Sequence, residues 1–290
     1  MIRTRKIDAH GLKELIQSKK QMIRALIENH TRRELYMTSI ETLDSAAKIP
    51  KIIHYCWFGK KEKPAIINKC IESWRKNLHG YEIIEWNEDN YDINSYSYVK
   101  DAYHAGKYAF VSDYVRLYAL YHFGGIYLDT DVEVFKPFDD ILYHESFWGF
   151  EQENFIATST IGAVKGNRFI KNFLDSYESK KFIKQDGSFD SLTNVAVVTK
   201  LLESKKLMLN GEYQVIDGIG AFFPQTYFSP YDYINGRKFL SENTYAIHYF
   251  YKSWLPLRVK VKGVIKGNIV KVLGGNNFAY LRELITRSGR

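Results

Sequence analysis

Cysteine is scarce in this chain: Cys56 and Cys70 are the only two in 290 residues. They are too few and too far apart for a zinc knuckle or a CxxC redox motif, and each sits in an apolar pattern that predicts burial, so both are expected to be reduced packing residues. No apolar run is long enough to cross a bilayer. The charged stretch 1–30 has no signal-peptide pattern, which makes the cytoplasm the expected site of action. A nucleic-acid reading motif is also missing, although the net charge is +8. Nine Lys/Arg against Glu283 alone lie in 252–290, which accounts for that whole charge and leaves the first 251 residues neutral. A basic tail of this kind suits an anionic membrane surface or a phosphate-rich partner rather than a DNA-reading domain. The expectation is a peripheral place at the inner face of the membrane, with no nucleic-acid partner.

With 45% hydrophobic and 26% charged residues, the chain has the composition of an ordinary globular protein able to bury a full core. Leu12, Leu15, Ile16, Ile23, Leu26 and Ile27 recur at helical spacing within 8–43, predicting amphipathic helices that pack on the main domain or on a partner subunit in an oligomer. At 49–59 the pattern changes to a β-branched run ending in Trp57, Phe58 and Gly59, read as a first core strand and its exit loop. Trp57 is placed either to stack on a flat nucleobase or to pack in the core. Pro64 then opens a helix with Ile67, Cys70, Ile71 and Trp74 on one face, and 81–86 reads as a second strand. Strand, helix and strand joined by short links predict an α/β fold with a parallel, helix-covered sheet.

The chemistry concentrates around 107–133. Ser112 reads as a helix N-cap and Gly124-Gly125 as its stop, giving a helix of about eleven residues or about 16 Å. The strand 125–129 returns about the same distance. Asp113 and Arg116 are thereby brought near Asp129 and Asp131, the alternative being an exposed i,i+3 ion pair. Asp129 and Asp131, one residue apart in extended backbone, point the same way at the C-terminal edge of a buried strand, where open α/β sheets bind ligands. Two such carboxylates repel unless a cation joins them, and a hard metal such as Mg2+ or Mn2+ is the natural occupant.

Further strands are expected at 147–150, 156–164, 213–216 and 221–223, with helices at 167–181 and 190–202. Asp190 and Asn194, on one face of the latter, are read as holding sugar hydroxyls or as solvated. The aromatic stretch 227–233 reads as a loop that packs or meets a sugar face. His248 ends a strand-like run and can complete a coordination sphere begun by carboxylates. Lys252 and Ser253 follow at a spacing that lets a loop close over phosphates. Beyond 257 the pattern fits a basic interfacial helix or a strand.

In combination, Ile-Pro-Lys-Ile-Ile-His-x-x-Trp at 49–57, Ser-Asp-x-x-Arg at 112–116, Gly-Gly-x-Tyr-x-Asp-x-Asp at 124–131 and His-x-x-x-x-Ser-Trp at 248–254 resemble glycosyltransferase family 32. The glucosyltransferase domains of the large clostridial toxins are similar at the same points. The resemblance implies a GT-A type fold over 49–256, set between a helical extension 1–48 and a basic tail 257–290. The central sheet would be mixed and mostly parallel, flanked by helices. It also implies a divalent metal, Mn2+ or Mg2+, and retaining transfer of a sugar from a nucleotide-sugar, with a UDP-sugar favoured. By position, Trp57 would stack on the base and Asp113 and Arg116 would contact the donor sugar. Asp131 would bind the metal, Asp129 would share itself between metal and donor hydroxyls, and His248 would be a late metal ligand. Ser253 and Trp254 would close on the diphosphate, with Lys252 or Arg116 offsetting its charge. The acceptor implied is a glycan or lipid-linked glycan, as in bacterial surface or capsular polysaccharide assembly. The first 48 residues depart from the family, and no carboxylate stands out as a covalent nucleophile. Two rivals share parts of the pattern. One is a haloacid-dehalogenase-type phosphatase with the first Asp as nucleophile, for which Asp139-Asp140 is too close to supply the later acidic pair. The other is a catalytically idle glycan-binding scaffold.

Overall fold

The computed structural model of the protein describes residues 49–190 and 192–251. The expected extension 1–48, the tail 257–290 and the trio Lys252, Ser253 and Trp254 lie outside the described residues. β1 (Ile52–Cys56) is the predicted first strand. α1 (Ala65–Asn77) starts after Pro64 and buries Ile67, Cys70, Ile71 and Trp74, the face read from the sequence. β2 (Glu82–Trp86) lies parallel to β1. α2 (Ser97–His104) is not announced by the sequence, because the Asn, Asp, Tyr and Ser of 87–97 read as loop.

α3 (Tyr108–Phe123) begins four residues before the expected Ser112. The chain leaves α2 through Gly106 at φ +67°, and Lys107 N–H bonds back to Ala102 O at 2.9 Å, so this turn sets the helix start. Ser112, now inside the helix, spends its hydroxyl on Tyr108 O at 3.0 Å. The stop is where it was expected. Gly124 and Gly125 have φ of +69° and +105°, and a Cβ on Gly125 would stand 2.6 Å from Ile52 O. No other residue fits there. His54 fastens the same turn, its Nε2–H donating to Gly124 O at 2.7 Å while Nδ1 accepts from Trp86 Nε1–H at 3.1 Å. Burial lowers the His54 pKa to about 4, which keeps the ring neutral as both bonds require.

β3 (Gly125–Leu128) runs parallel to β1, and β4 (Val132–Val134) follows after a turn. Then come β5 (Ser146–Phe150), β6 (Ile156–Ala163), α4 (Arg168–Asp175) and α5 (Asn194–Glu203). Asn167 caps α4 by accepting from Phe169 N–H and Ile170 N–H. Asp190 lies outside α5, whose cap is Thr193, so Asp190 and Asn194 do not share a helix face. β7 (Gln214–Ile216) and β8 (Gly220–Phe223) precede a short α6 (Gln225–Phe228) and the hairpin β9 (Tyr231–Asp232) and β10 (Arg237–Lys238), elements that replace the expected loop at 227–233. β11 (Ala246–His248) pairs antiparallel with β4.

The central sheet has the order β2-β1-β3-β6-β5-β8-β7. Five strands run one way and β6 and β7 the other, which is the mixed, mostly parallel, helix-flanked sheet expected of a GT-A type fold. Each face has its own core. One is filled from α2, α3, α4 and α5 by residues such as Tyr98, Val115, Phe173 and Val198. The other is filled from α1, α6 and the β4–β11 pair by Ile71, Trp74, Phe228, Val132 and Ala246. A three-residue strand such as β4 needs outside support. α1 supplies it: Trp74 Nε1–H donates to Val132 O at 2.7 Å, Asn77 Nδ2–H to Val134 O at 2.8 Å, and Ser73 Oγ accepts from Val134 N–H at 2.9 Å. The turn between β3 and β4, which carries the acidic pair, is thus fixed at its far end.

Candidate active site

Because β1 and β3 are parallel neighbours, Trp57 and Asp129 leave the sheet at the same edge. Asp129 to Val132 is a turn closed by Val132 N–H to Asp129 O at 3.0 Å, not the extended backbone expected. The two carboxylates still converge, and β11 adds the imidazole. One ligand atom each from Asp129, Asp131 and His248 lie within 4.8 Å of one another. His248 Nε2 stands 3.4 Å from Asp131 Oδ1, and Asp131 Oδ2 accepts from Tyr251 N–H at 2.6 Å. Burial opposes charge on both groups, yet they stabilise each other: Asp131 is held below the usual carboxylate range, and His248 is raised to about 9. His248 Nδ1 is buried without a partner, and the Phe250 ring lies 4.0 Å from the imidazole on backbone at φ +52°. Two carboxylates and an imidazole form a hard, mixed O/N donor set that fits Mn2+ or Mg2+.

Asp113 and Arg116 reach this edge as expected, and they are not a surface pair. Arg116, 5% exposed, lies 2.7 Å from Asp113 Oδ1 and 3.3 Å from Asp129 Oδ1, and donates to Thr158 O at 2.5 Å. Its guanidinium sits 4.6 Å from the Tyr127 ring centroid, and the Tyr127 hydroxyl donates to Asp129 Oδ1 at 3.0 Å. Burial alone would weaken the Arg116 charge, but Asp129, Tyr127 and Asp113 hold it firmly protonated. Burial pushes Asp113 up to about 6 against the pull of Arg116. Asn194, read from sequence as a sugar contact or solvated, is buried and fully used: it accepts from the Tyr177 hydroxyl at 2.5 Å and donates to Asp113 O at 2.9 Å. Trp57 is half-buried, its Nε1–H on Lys61 O at 2.6 Å and the Lys63 ammonium 5.6 Å from its ring. Lys63 is itself held by Glu85 at 2.8 Å.

Cys56 and Cys70 are free and buried, and burial pushes both thiols up to about 12, so neither is reactive. Asp139 pairs with Lys51 and Tyr81, and Asp140 with Tyr245, so this acidic pair is occupied structurally. One site residue escaped sequence reasoning. Glu151, the first residue after β5, is half-buried and lies within the electrostatic reach of Asp129 and His248. Its signal was an acid directly after the apolar run Phe147-Trp148-Gly149-Phe150, at the end of a strand running the same way as β3.

Residues 64–148 match the family described as "Glycosyltransferase sugar-binding region containing DXD motif". Among curated relatives, the chain is 31% identical over 145 residues to inositol phosphoceramide mannosyltransferase 3 of Schizosaccharomyces pombe, covering 47% of this chain and 39% of that protein. It is 28% identical over 172 residues to Subversion of eukaryotic traffic protein A of Legionella pneumophila, covering 48% of this chain and 26% of the relative. An uncharacterized glycosyltransferase of Acanthamoeba polyphaga mimivirus is 27% identical over 223 residues, or 72% of this chain and 84% of the viral one. The chain thus spans well under half of the length of the bacterial and yeast relatives. Among solved structures, PaToxG glycosyltransferase aligns with a TM-score of 0.41 and 21% identity over 63% of this chain and 80% of its own. Asp129-Thr130-Asp131 lies inside the matched region, so residues 64–148 resemble the DXD-containing sugar-binding region of glycosyltransferases.

Proposed function

We propose that the protein is a metal-dependent, retaining glycosyltransferase. It moves a hexose or N-acetylhexosamine from a nucleotide-sugar, with UDP as the favoured nucleotide, to a hydroxyl of a glycan or lipid-linked glycan. The observation that carries this reading is the convergence of Asp129, Asp131 and His248 within 4.8 Å, with buried Arg116 at 3.3 Å from Asp129. Asp131 and His248 would hold a divalent ion with Asp129 as the third ligand, and that ion supplies Lewis-acid neutralisation of a diphosphate. Arg116 adds a cation that costs nothing to orient during reaction, since Asp113, Thr158 O and Asp129 already fix it. The Trp57 face away from Lys63 offers a platform for the base. Asp113, braced by Asn194 and Tyr177, holds Arg116 and is placed for donor hydroxyls.

Lys252, Ser253 and Trp254 keep their proposed task of closing on the diphosphate, and the basic tail its task of holding the protein at the inner membrane face, near a lipid-linked acceptor. The yeast relatives' names, with a mannosyl group moved to inositol phosphoceramide, support a hexose and a lipid-borne hydroxyl. A role in surface polysaccharide assembly and retention of configuration follow from the family 32 resemblance. The test is a panel of UDP- and GDP-sugars scored for hydrolysis with Mn2+. One donor should be cleaved, and EDTA or Asp131→Asn should reduce the rate at least about a hundredfold. Phosphate release from simple phosphomonoesters with no nucleotide-sugar cleaved would favour the phosphatase instead.

A further inference from the structure

Among the described residues, the carboxylates at this sheet edge are paired, with one exception. Asp113 and Asp129 face Arg116, Asp131 faces His248 and Tyr251 N–H, and Glu85 faces Lys63 and Tyr55. Glu151 is half-buried, and among the described residues its carboxyl has neither a hydrogen bond nor an ion pair. Its backbone is pinned, with N–H on Phe155 O at 2.7 Å and its carbonyl accepting from Asn154 N–H at 3.1 Å. Nor is it a fourth metal ligand, because the cluster within 4.8 Å comprises Asp129, Asp131 and His248 alone among the described residues. Burial raises its pKa, His248 opposing and Asp129 reinforcing, so it shares their site without touching the ion position.

The strand order says which part of a substrate it meets. Along the edge, Trp57 leaves β1, Asp129 leaves β3, and Glu151 leaves β5 with β6 between. At about 4.8 Å per strand, Glu151 stands about 10 Å beyond Asp129, on the side away from Trp57. A donor with its base on Trp57 and its diphosphate at the acidic pair directs its sugar toward β6 and β5. The register of β6 against β5 shifts between Phe147 and Gly149, where Thr158 to Ile161 attend instead to Arg116 and β3, and pairing resumes at Gly149–Ala157 and Phe150–Ile156, so Glu151 follows directly on a paired strand end. Next to Glu151, Gln152 Oε1 is buried and also lacks a partner. Carboxylate and amide oxygens only accept hydrogen bonds. Their missing partner is a donor, and a neutral hydroxyl-bearing molecule provides one where a phosphate does not.

We propose that Glu151 belongs to the acceptor subsite, holding by a hydrogen bond the hydroxyl that attacks the donor sugar, with Gln152 Oε1 beside it favouring a neutral polyol over an anionic acceptor. This rests on the nucleotide-sugar reading above. The test compares wild type with Glu151→Gln and Glu151→Asp in the full chain. It reads hydrolysis of the donor that wild type cleaves, water being the attacking hydroxyl, and titrates UDP with Mn2+ by intrinsic fluorescence. Glu151→Gln should lose about tenfold or more in kcat, because a charged acceptor holds a hydroxyl more strongly than an amide. Its affinity for UDP with Mn2+ should stay within about twofold, and Glu151→Asp should recover part of the rate. A wild-type rate in Glu151→Gln, or an equal loss of UDP affinity in both variants, overturns the proposal and leaves the nucleotide-sugar reading standing. Failure of wild type on every donor removes that reading and this inference with it.

Discussion

His248 and Asp131 are each other's main electrostatic partner, and that coupling can be read from stability as well as from activity. The His248 pKa is raised from 6.5 to about 9 in the folded, metal-free protein. Its contribution is therefore complete below about pH 6.5 and lost as pH rises to about 9. In EDTA, the melting temperature should fall across that window, and Asp131→Asn should flatten the fall; an unchanged slope in the variant would show that the pair is not coupled. The role proposed for Trp57 is one for its ring. Trp57→Ala should weaken UDP binding about tenfold, from the loss of base stacking, while Trp57→Phe keeps most of the affinity. Equal affinities in all three proteins would remove the base from this face. At this scale the sequence was informative where a residue type has few alternatives, as with paired Asp residues and a strand-end His. It was silent on Glu151, whose significance lies in what it does not pair with.

The turn joining α3 to β3 shows why the elements could be placed before their boundaries were known. The cap signal at Ser112 pointed to the wrong helix start, since Gly106 and Lys107 decide it, yet Asp113 and Arg116 arrived beside Asp129. Distances along both arms are counted from the Gly124-Gly125 stop, which is sterically determined: eleven helical residues descend about 16 Å and four strand residues return about 13 Å. Gly125→Ala places a Cβ at φ +105° and 2.6 Å from Ile52 O. It should destabilise the fold by about 2–4 kcal/mol in chemical denaturation, and a loss under about 0.5 kcal/mol would contradict the steric account. His54 belongs to the same device. It stands in the 49–57 motif, and its two ring bonds fasten β1 to the turn and to Trp86. α2 and the β9–β10 hairpin were not legible, because their stability comes from packing and pairing partners distant in sequence rather than from local periodicity.

Across the whole molecule, the residues proposed to bind the nucleotide-sugar run along one edge of a seven-stranded sheet, while the surplus positive charge lies in 252–290. That separation predicts two independent functions. Deleting 257–290 should abolish binding to liposomes containing phosphatidylserine, binding which 0.5 M salt should also weaken; retention by the truncated protein would place the membrane contact elsewhere. The class of fold was legible because strand, helix and strand alternate with short links, and the motifs pointed to Asp113, Arg116, Asp129, Asp131 and His248, which the fold brings together. The turn geometry at Asp129 to Val132 was not legible, since it depends on β4 being held by α1 and β11. The central claim is that Asp129, Asp131 and His248 together hold the ion through which a nucleotide diphosphate binds. Calorimetric titration of UDP tests it most directly: binding should require Mn2+ and disappear in Asp131→Asn, whereas equal binding with EDTA or in that variant would contradict it.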